Sequence, residues 1–195
     1  MATSAQARRW AKTGATQRRI LDAATEVFAT RGFTAATMAD VVAASGASVG
    51  SIYHHFGGKN ELFLAIFERM ATAVDERIEA AMRQAGAGAG PRRIFELHVR
   101  AYLEAMWENR RLARVLTSGD TPPGFEVARR DRMQAAFRSW MAVLELDKSL
   151  RGQLLSRILV ATMAESSLMV AGCENPDDVP AITDATIEWI DRLIE

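Results

Sequence analysis

Apolar side chains recur at helical spacing along most of the chain, and no stretch alternates in the way of a half-buried strand. Ile20, Ala24 and Phe28 are four residues apart and place one apolar stripe on a first helix, which Gly32 is positioned to end. Similar stripes predict helices over residues 59–82, 95–106, 110–116, 125–146, 150–170 and 182–194. With two shorter helices between residues 37 and 56, we expect an all-α fold of about nine helices.

The two shorter helices have clear start and stop signals. Thr37, with Asp40 three positions later, is a capping pair that starts one helix, and Gly46 ends it. Ser48 starts the next helix, which Gly57 ends. Short helices joined by a tight turn form a helix-turn-helix, whose second helix can enter the major groove of DNA.

This segment carries a denser pattern, and residues 17–63 resemble the DNA-binding domain of the TetR family of bacterial repressors. The residues that carry the resemblance are Ile20-Leu21, Ala24, Phe28, Gly32-Phe33, Thr37, Asp40-Val41, Ala44-Ser45-Gly46, Ser48, Gly50, Tyr53, His55-Phe56, Lys59 and Leu62. The helices beyond this segment are similar to the family in number and length only. The resemblance implies an amino-terminal helix-turn-helix domain followed by a helical ligand-sensing and dimerisation body.

The resemblance also implies DNA contacts. Thr37, Tyr53 and Lys59 are expected at phosphates, and the start of the second short helix at base edges. The DNA-facing set is Thr37, Ser48, Val49, Gly50, Ser51, Tyr53, His54, His55 and Lys59. Three members have a structural alternative: Tyr53 as a core aromatic, Ser48 as a cap only, and Val49 as a residue that packs on Ile52.

His54 and His55 raise the question of a metal site. Neighbours on a helix point about 100° apart and do not converge on one ion as residues four apart do. His98 is distant and has no cysteine or carboxylate partner at metal-ligand spacing. We therefore expect no metal, and we expect His54 to reach DNA.

Charge divides the chain into a basic head and an acidic body. The whole chain has 24 Lys and Arg against 24 Asp and Glu, but residues 1–60 hold 7 basic and 3 acidic residues. This asymmetry is typical of a nucleic-acid-facing end. We expect a basic flexible arm over residues 1–15, the helix-turn-helix domain over residues 16–60, and the body over residues 61–195.

Composition also bears on location. The pair Arg8-Arg9 resembles an export signal, but no apolar region follows it. The single Cys173 fits a reducing compartment. No run approaches the ~20 apolar residues of a membrane span. We therefore expect a cytoplasmic protein without membrane contact.

The body combines soft and aromatic residues with one helix that is apolar nearly all round. Methionine and aromatic side chains suit an apolar ligand pocket, although an ordinary core uses them too. The expected pocket residues are Phe95, His98, Tyr102, Met106, Trp107, Met133, Phe137, Met141, Met163 and Ser166. The last two helices are expected to form a homodimer interface through Leu154, Ile158, Leu168, Ile187 and Ile190.

Together these observations predict a sequence-specific transcriptional regulator. We expect a homodimeric repressor that leaves a pseudo-palindromic operator when a small, largely apolar effector binds. The alternatives are a ligand-independent DNA-binding factor or an activator. An enzyme is not expected, because the sequence shows no nucleophile–base pair, phosphate loop or paired carboxylates, and no cofactor is implied.

Overall fold

The structure, a computed structural model, describes residues 4–85, 88–143 and 149–194, apart from the side chains of residues 4–12, 136, 137 and 139–143. Within these ranges the chain forms nine helices and no strand, which confirms the all-α prediction. The helices are α1 Ser4–Ala35, α2 Met38–Ser45, α3 Val49–Phe56, α4 Lys59–Ala85, α5 Pro91–Glu108, α6 Arg110–Thr117, α7 Phe125–Val143, α8 Leu150–Gly172 and α9 Asp178–Ile194.

Helix α1 starts earlier than expected and bends near its end. Residues 4–15 are helical, which corrects the expectation of a flexible arm there. Alanine, arginine, lysine and glutamine dominate this stretch and are good helix formers. Gly32 leaves helical geometry at φ 77° and ψ 166°, a left-handed φ that favours glycine, and one further turn follows it.

The start and stop signals of the two short helices are confirmed. The Thr37 side chain accepts a hydrogen bond from the Asp40 amide, and the Asp40 carboxylate accepts one in return from the Thr37 amide. Gly46 ends α2 in the left-handed conformation. Ser48 caps α3 by accepting from the Ser51 amide at 3.1 Å.

Contacts between residues divide the chain into two compact units. Unit 1 comprises Met1–Arg69 with Val115–Pro123, and unit 2 comprises Met70–Arg114 with Gly124–Glu195. These units differ from the expected domains in two ways: unit 1 includes α4 as far as Arg69, and it also includes a segment from the middle of the chain. Val115 and Leu116 in that segment are buried, so it is part of the unit 1 packing.

Each unit has its own apolar core. In unit 1 the rings of Phe28, Phe33 and Phe63 pack together, with centroids 5.7, 5.7 and 5.3 Å apart. In unit 2, α5 contacts α7, α8 and α9, and its side chains Phe95 and Val99 are buried.

One described helix, α8, is long and apolar enough by length and composition to cross a membrane, although Arg157 and Glu165 interrupt its apolar run. A core helix of a soluble protein passes the same test. Helix α8 packs against α5, α7 and α9, and 39% of its most apolar window is buried. Its remaining apolar side chains form an exposed face described below.

Candidate functional site

The first turn of α3 presents small and exposed residues. Val49 is 55% exposed and Tyr53 is 49% exposed, while Ile52 is fully buried. Gly50 and His54 are also exposed, and a Cβ added at Gly50 would meet no atom within 4 Å. Residues four apart lie on one face of a helix, so the pairs 49/53 and 50/54 form a continuous open surface. The core alternatives for Val49 and Tyr53 are therefore not supported.

The Thr37 cap lies at the start of α2, next to α3 in unit 1. Thr37 is exposed, and its hydroxyl donates to the Asp40 carboxylate at 2.7 Å. The Thr37 hydroxyl, followed by the Thr37 amide and Arg31, holds the pKa of Asp40 below its usual range. Arg31 approaches the same carboxylate at 3.0 Å. The start of α2 therefore has a reciprocal hydrogen-bonded cap with an arginine beside its carboxylate.

The adjacent histidines His54 and His55 differ in their surroundings. Their ring centroids are 5.3 Å apart and their planes are tilted by 60°. No group of three or more His, Cys, Asp or Glu residues that could hold a metal ion occurs among the described residues. His54 is exposed, whereas His55 is half-buried with its ring centroid 6.2 Å from that of Phe56.

Lys59 has an intramolecular partner that the sequence does not indicate. Its Nζ donates to the Thr34 carbonyl at 3.2 Å and lies 4.4 Å from the centroid of the Phe33 ring. The residue is half-buried at the first position of α4. The ammonium is therefore held against the end of α1 rather than extended into solvent.

The expected pocket residues of the body lie in unit 2, but they do not share one environment. Phe95, Met106 and Met163 are buried. Trp107 is half-buried under the Arg110 guanidinium, which lies 4.0 Å from the ring centroid. Met133 is half-buried and its sulfur accepts a hydrogen bond from Arg129 at 3.6 Å. The side chains of Phe137 and Met141 lie outside the described residues.

Three polar groups are expected in the pocket, and each has different surroundings in the structure. Burial lowers the pKa of His98 to about 4, against the opposing effect of Asp75, so the imidazole is neutral at pH 7. Burial raises the pKa of Tyr102, which is hydrogen-bonded to Ser167. Ser166 instead accepts a hydrogen bond from Thr186 on α9 at 2.8 Å. The hydroxyl that meets Tyr102 is therefore Ser167, one position beyond the expected residue.

The apolar face of α8 and α9 differs in part from the expected interface. Leu154, Ile158 and Leu168 are 60%, 39% and 42% exposed, as an interface requires. Ile187 and Ile190 are 7% and 0% exposed, so they belong to the core of the protomer and their assignment to an interface is wrong. The other large apolar side chains exposed on the same two helices are Leu150 at the start of α8, Met169, Trp189 and Leu193. We call Leu154, Ile158, Leu168, Met169, Trp189 and Leu193 the α8–α9 face.

Comparison with known proteins bears on the amino-terminal segment first. The family model described as bacterial regulatory proteins, tetR family, matches residues 20–66. The transcriptional repressor AcnR of Corynebacterium efficiens is 44% identical over 61 residues, which cover 29% of this chain and 32% of AcnR. The transcriptional activator FasR of Mycolicibacterium smegmatis is 24% identical over 175 residues, 87% of this chain and 78% of FasR. The stronger identity is therefore confined to about a third of the relative.

Solved structures extend the likeness to the whole fold. A TetR-like transcriptional regulator from Rhodococcus sp. RHA1 superposes with a TM-score of 0.76 at 24% identity, over 91% of this chain and 94% of the other. FadR from Bacillus subtilis, solved in complex with stearoyl-CoA, gives 0.71 at 17% identity, over 89% and 96%. At these identities the likeness shows the fold. Residues 20–66 therefore match the tetR family of bacterial regulatory proteins, and the chain shares the fold of TetR-like regulators.

Proposed function

We propose that this protein is a sequence-specific transcriptional regulator: a homodimer that represses its targets and leaves a pseudo-palindromic operator when a small, largely apolar ligand binds. The observation that carries the DNA-binding part is the open face of α3, where residues 49, 53 and 54 are exposed around Gly50, which has free space above it. A helix end with small side chains can approach base edges in the major groove closely. Such a protein acts on the chromosome, so we place it in the cytoplasm.

Phosphate contacts complete the proposed interface. Thr37 and Tyr53 are exposed, and the start of α2 offers free amides to an anion. Lys59 lies at the start of α4 and supplies a cation. Contacts of this kind fix the register of a protein on DNA, while Ser48, Val49 and Gly50 with the exposed His54 supply the sequence preference.

The α8–α9 face supports the homodimer. It exposes six large apolar side chains on two helices that pack against each other. A contiguous apolar surface of this kind is typical of an obligate interface, which buries on the order of 2,000 Å² or more in total. Two copies related by a two-fold axis would present two α3 helices to successive turns of a pseudo-palindromic site.

The presence of uncharged polar groups in unit 2 supports the proposal that this unit binds an apolar effector. His98 is uncharged at pH 7, and Tyr102 and Ser167 are hydroxyl groups in a buried setting. Uncharged groups beside buried Phe95 and Met163 suit a molecule with a large apolar part and few polar atoms. The B. subtilis FadR structure with stearoyl-CoA makes long-chain acyl-CoA a suitable first probe.

DNA binding is tested by footprinting on the region upstream of the gene that encodes this protein, together with site selection from random duplexes. We expect the wild type to protect one pseudo-palindrome. Gly50→Asp places a negative charge in the open space of α3 and should abolish protection. The control Thr72→Asp adds the same charge at an exposed position of α4 and should leave protection intact. No enriched sequence and no protection by the wild type would contradict the proposal.

Effector binding and the direction of regulation need separate measurements. An effector should raise the melting temperature and release the footprint, because it acts through its different affinities for the two conformations. If stearoyl-CoA and simpler apolar compounds raised the melting temperature but did not release the DNA footprint, a ligand-independent DNA-binding factor would be favoured. The relative FasR is an activator, so a reporter gene placed behind the selected site decides between repression and activation.

A further inference from the structure

Asp120, in the segment between α6 and α7, is bound to the end of α1 within unit 1. Its two carboxylate oxygens lie 3.1 and 3.0 Å from the Thr34 amide nitrogen, and one also accepts from the Thr34 hydroxyl. The Phe33 amide is a further donor. These donors hold the pKa of Asp120 below its usual range, with the Thr34 hydroxyl as the largest cause. The Asp120 carboxylate therefore caps the short turn that follows Gly32. It does what an N-cap side chain does for the helix next to it, but it comes from a distant part of the sequence.

The local structure on both sides of the contact between Asp120 and the Gly32–Thr34 turn favours it. A Cβ added at Gly32 would lie 2.4 Å from Asp120 Oδ2, and Gly32 has a φ of 77°, so only glycine permits the approach. On the other side, the Asp120 amide donates to the Ser118 hydroxyl at 3.2 Å, and that hydroxyl donates to the Val115 carbonyl at 3.0 Å. The carboxylate is thus held in place before any ligand or DNA arrives.

The capped turn is also the turn that holds Lys59. The Thr34 amide donates to Asp120, and the carbonyl of the same residue accepts from Lys59 Nζ at 3.2 Å. If the turn loosened, the carbonyl would move and the ammonium would lose its fixed position over the Phe33 ring.

We propose that Asp120 is a positioning residue for DNA binding: it holds the Gly32–Thr34 turn so that the Thr34 carbonyl keeps the Lys59 ammonium where it meets a DNA phosphate. The inference rests on the proposed function. It adds to the DNA-binding unit a residue that lies 86 positions from Thr34 and outside the matched residues 20–66.

In the opposite role Asp120 would compete with a DNA phosphate for Lys59, and Asp120→Asn would then strengthen DNA binding. The geometry argues against it, because the Asp120 oxygens are already occupied by the Phe33 and Thr34 donors and Nζ is bonded to a carbonyl. Lys59 is the smallest of the causes that lower the pKa of Asp120. Losing the carboxylate should therefore weaken DNA binding, although it removes a negative charge.

The test is a double-mutant cycle on a DNA duplex selected with the wild type. Fluorescence anisotropy over a range of salt concentrations compares the wild type, Asp120→Asn, Lys59→Ala and the double variant. We expect Asp120→Asn to bind about three- to ten-fold more weakly, with a salt slope lower by about one unit, as Lys59→Ala does. The double variant should bind no more weakly than Lys59→Ala alone, because Asp120 is proposed to act only through Lys59. If Asp120→Asn instead damaged the structure in general, its loss of affinity would also appear in the Lys59→Ala background.

Two further variants complete the cycle. Glu68→Gln removes an exposed negative charge from α4 in unit 1 and should leave the affinity unchanged or slightly higher. Thr34→Ala removes one donor to Asp120 and should give a smaller loss than Asp120→Asn, so the inference can be judged even if Asp120→Asn folds poorly.

The possible results separate the two proposals. If Asp120→Asn bound DNA as tightly as the wild type or more tightly, the role of Asp120 would be overturned. The same holds if the fold-loss of affinity in the double variant equalled the product of the two single losses. Either result would leave the proposal of DNA binding in place. A wild type that selects no DNA sequence would overturn both.

Discussion

Single exposed side chains at the start of α3 decide how the proposed DNA-binding surface would read a sequence. Val49 is 55% exposed and contributes nothing to the core, unlike Ile52 three positions later. An apolar side chain at this position can contact a thymine methyl group, whereas an arginine would bond to guanine. We therefore expect Val49 to influence the DNA sequence preference of the protein more than its folding stability.

Val49→Arg should accordingly change the selected DNA sequence while it changes the free energy of unfolding by no more than about 0.5 kcal/mol. Site selection on both proteins, with urea unfolding in parallel, measures the two effects. Val127→Arg is the matched control, since Val127 is 57% exposed on α7 of unit 2 and should alter neither quantity. An unchanged preference with a large loss of stability would assign Val49 to the core.

His98 makes stability depend on pH. Its pKa is about 4 in the folded chain because it is buried, with Asp75 opposing the shift, and near 6.5 when unfolded. Between these values the unfolded chain binds a proton that the folded chain does not, so the contribution is complete above pH 6.5 and is lost as the pH falls towards 4.

The expected slope is up to about 1.4 kcal/mol per pH unit within this window, and His98→Gln should remove it. Urea unfolding at pH 7.5, 6 and 5, at one protein concentration, gives the difference between the two proteins. Curves that stay parallel for wild type and variant over this range would show that His98 does not control the pH dependence.

At the scale of elements, the short helices of unit 1 depend on their ends. Helices α2 and α3 have 8 residues each, a length at which an isolated helix is marginal in water. The reciprocal Thr37–Asp40 bonds satisfy amides at the start of α2, and buried Val41 and Ile52 join the two helices to the core. Capping and burial together hold the proposed DNA-facing surface.

Thr37→Ala should therefore lower the free energy of unfolding by about 1 kcal/mol, because an N-cap hydroxyl is lost. Guanidinium unfolding should show a lower midpoint with an unchanged m value. Thr30→Ala is the control: Thr30 is exposed within α1 and its hydroxyl donates back to the Glu26 carbonyl, so alanine should be neutral or slightly stabilising. Equal effects of the two substitutions would mean that the cap adds nothing.

At the scale of the whole molecule, the α8–α9 face separates a monomer from the proposed dimer. Its exposed residues follow the helical period, with Leu154 and Ile158 four apart on α8 and Trp189 and Leu193 four apart on α9. Ile187 and Ile190 on α9 are buried in the core of the protomer instead. The proposed interface therefore includes fewer residues of α9 than the apolar content of that helix indicates.

We expect the wild type to sediment as a dimer at micromolar concentration, and Leu154→Arg and Trp189→Arg to sediment as folded monomers. Ile190→Arg should instead unfold the protomer, because it places a charge in the core. Val127→Arg should leave the dimer intact. A monomeric wild type, or dimers that survive both substitutions on the face, would contradict the assignment.

The sequence by itself determined the helices and the caps of α2 and α3, because helical periods and caps connect residues only three or four positions apart. The motif residues within 17–63 also carried the resemblance to the TetR family, which the match over residues 20–66 supports. The sequence could not decide which side of an apolar helix is covered, and so the interface predicted from it included Ile190, which is buried, and left out Trp189, which is exposed. It also could not link Asp120 to Thr34 across 86 positions, or Lys59 to the Thr34 carbonyl. Such contacts depend on how the elements pack, and only the tertiary structure decides that.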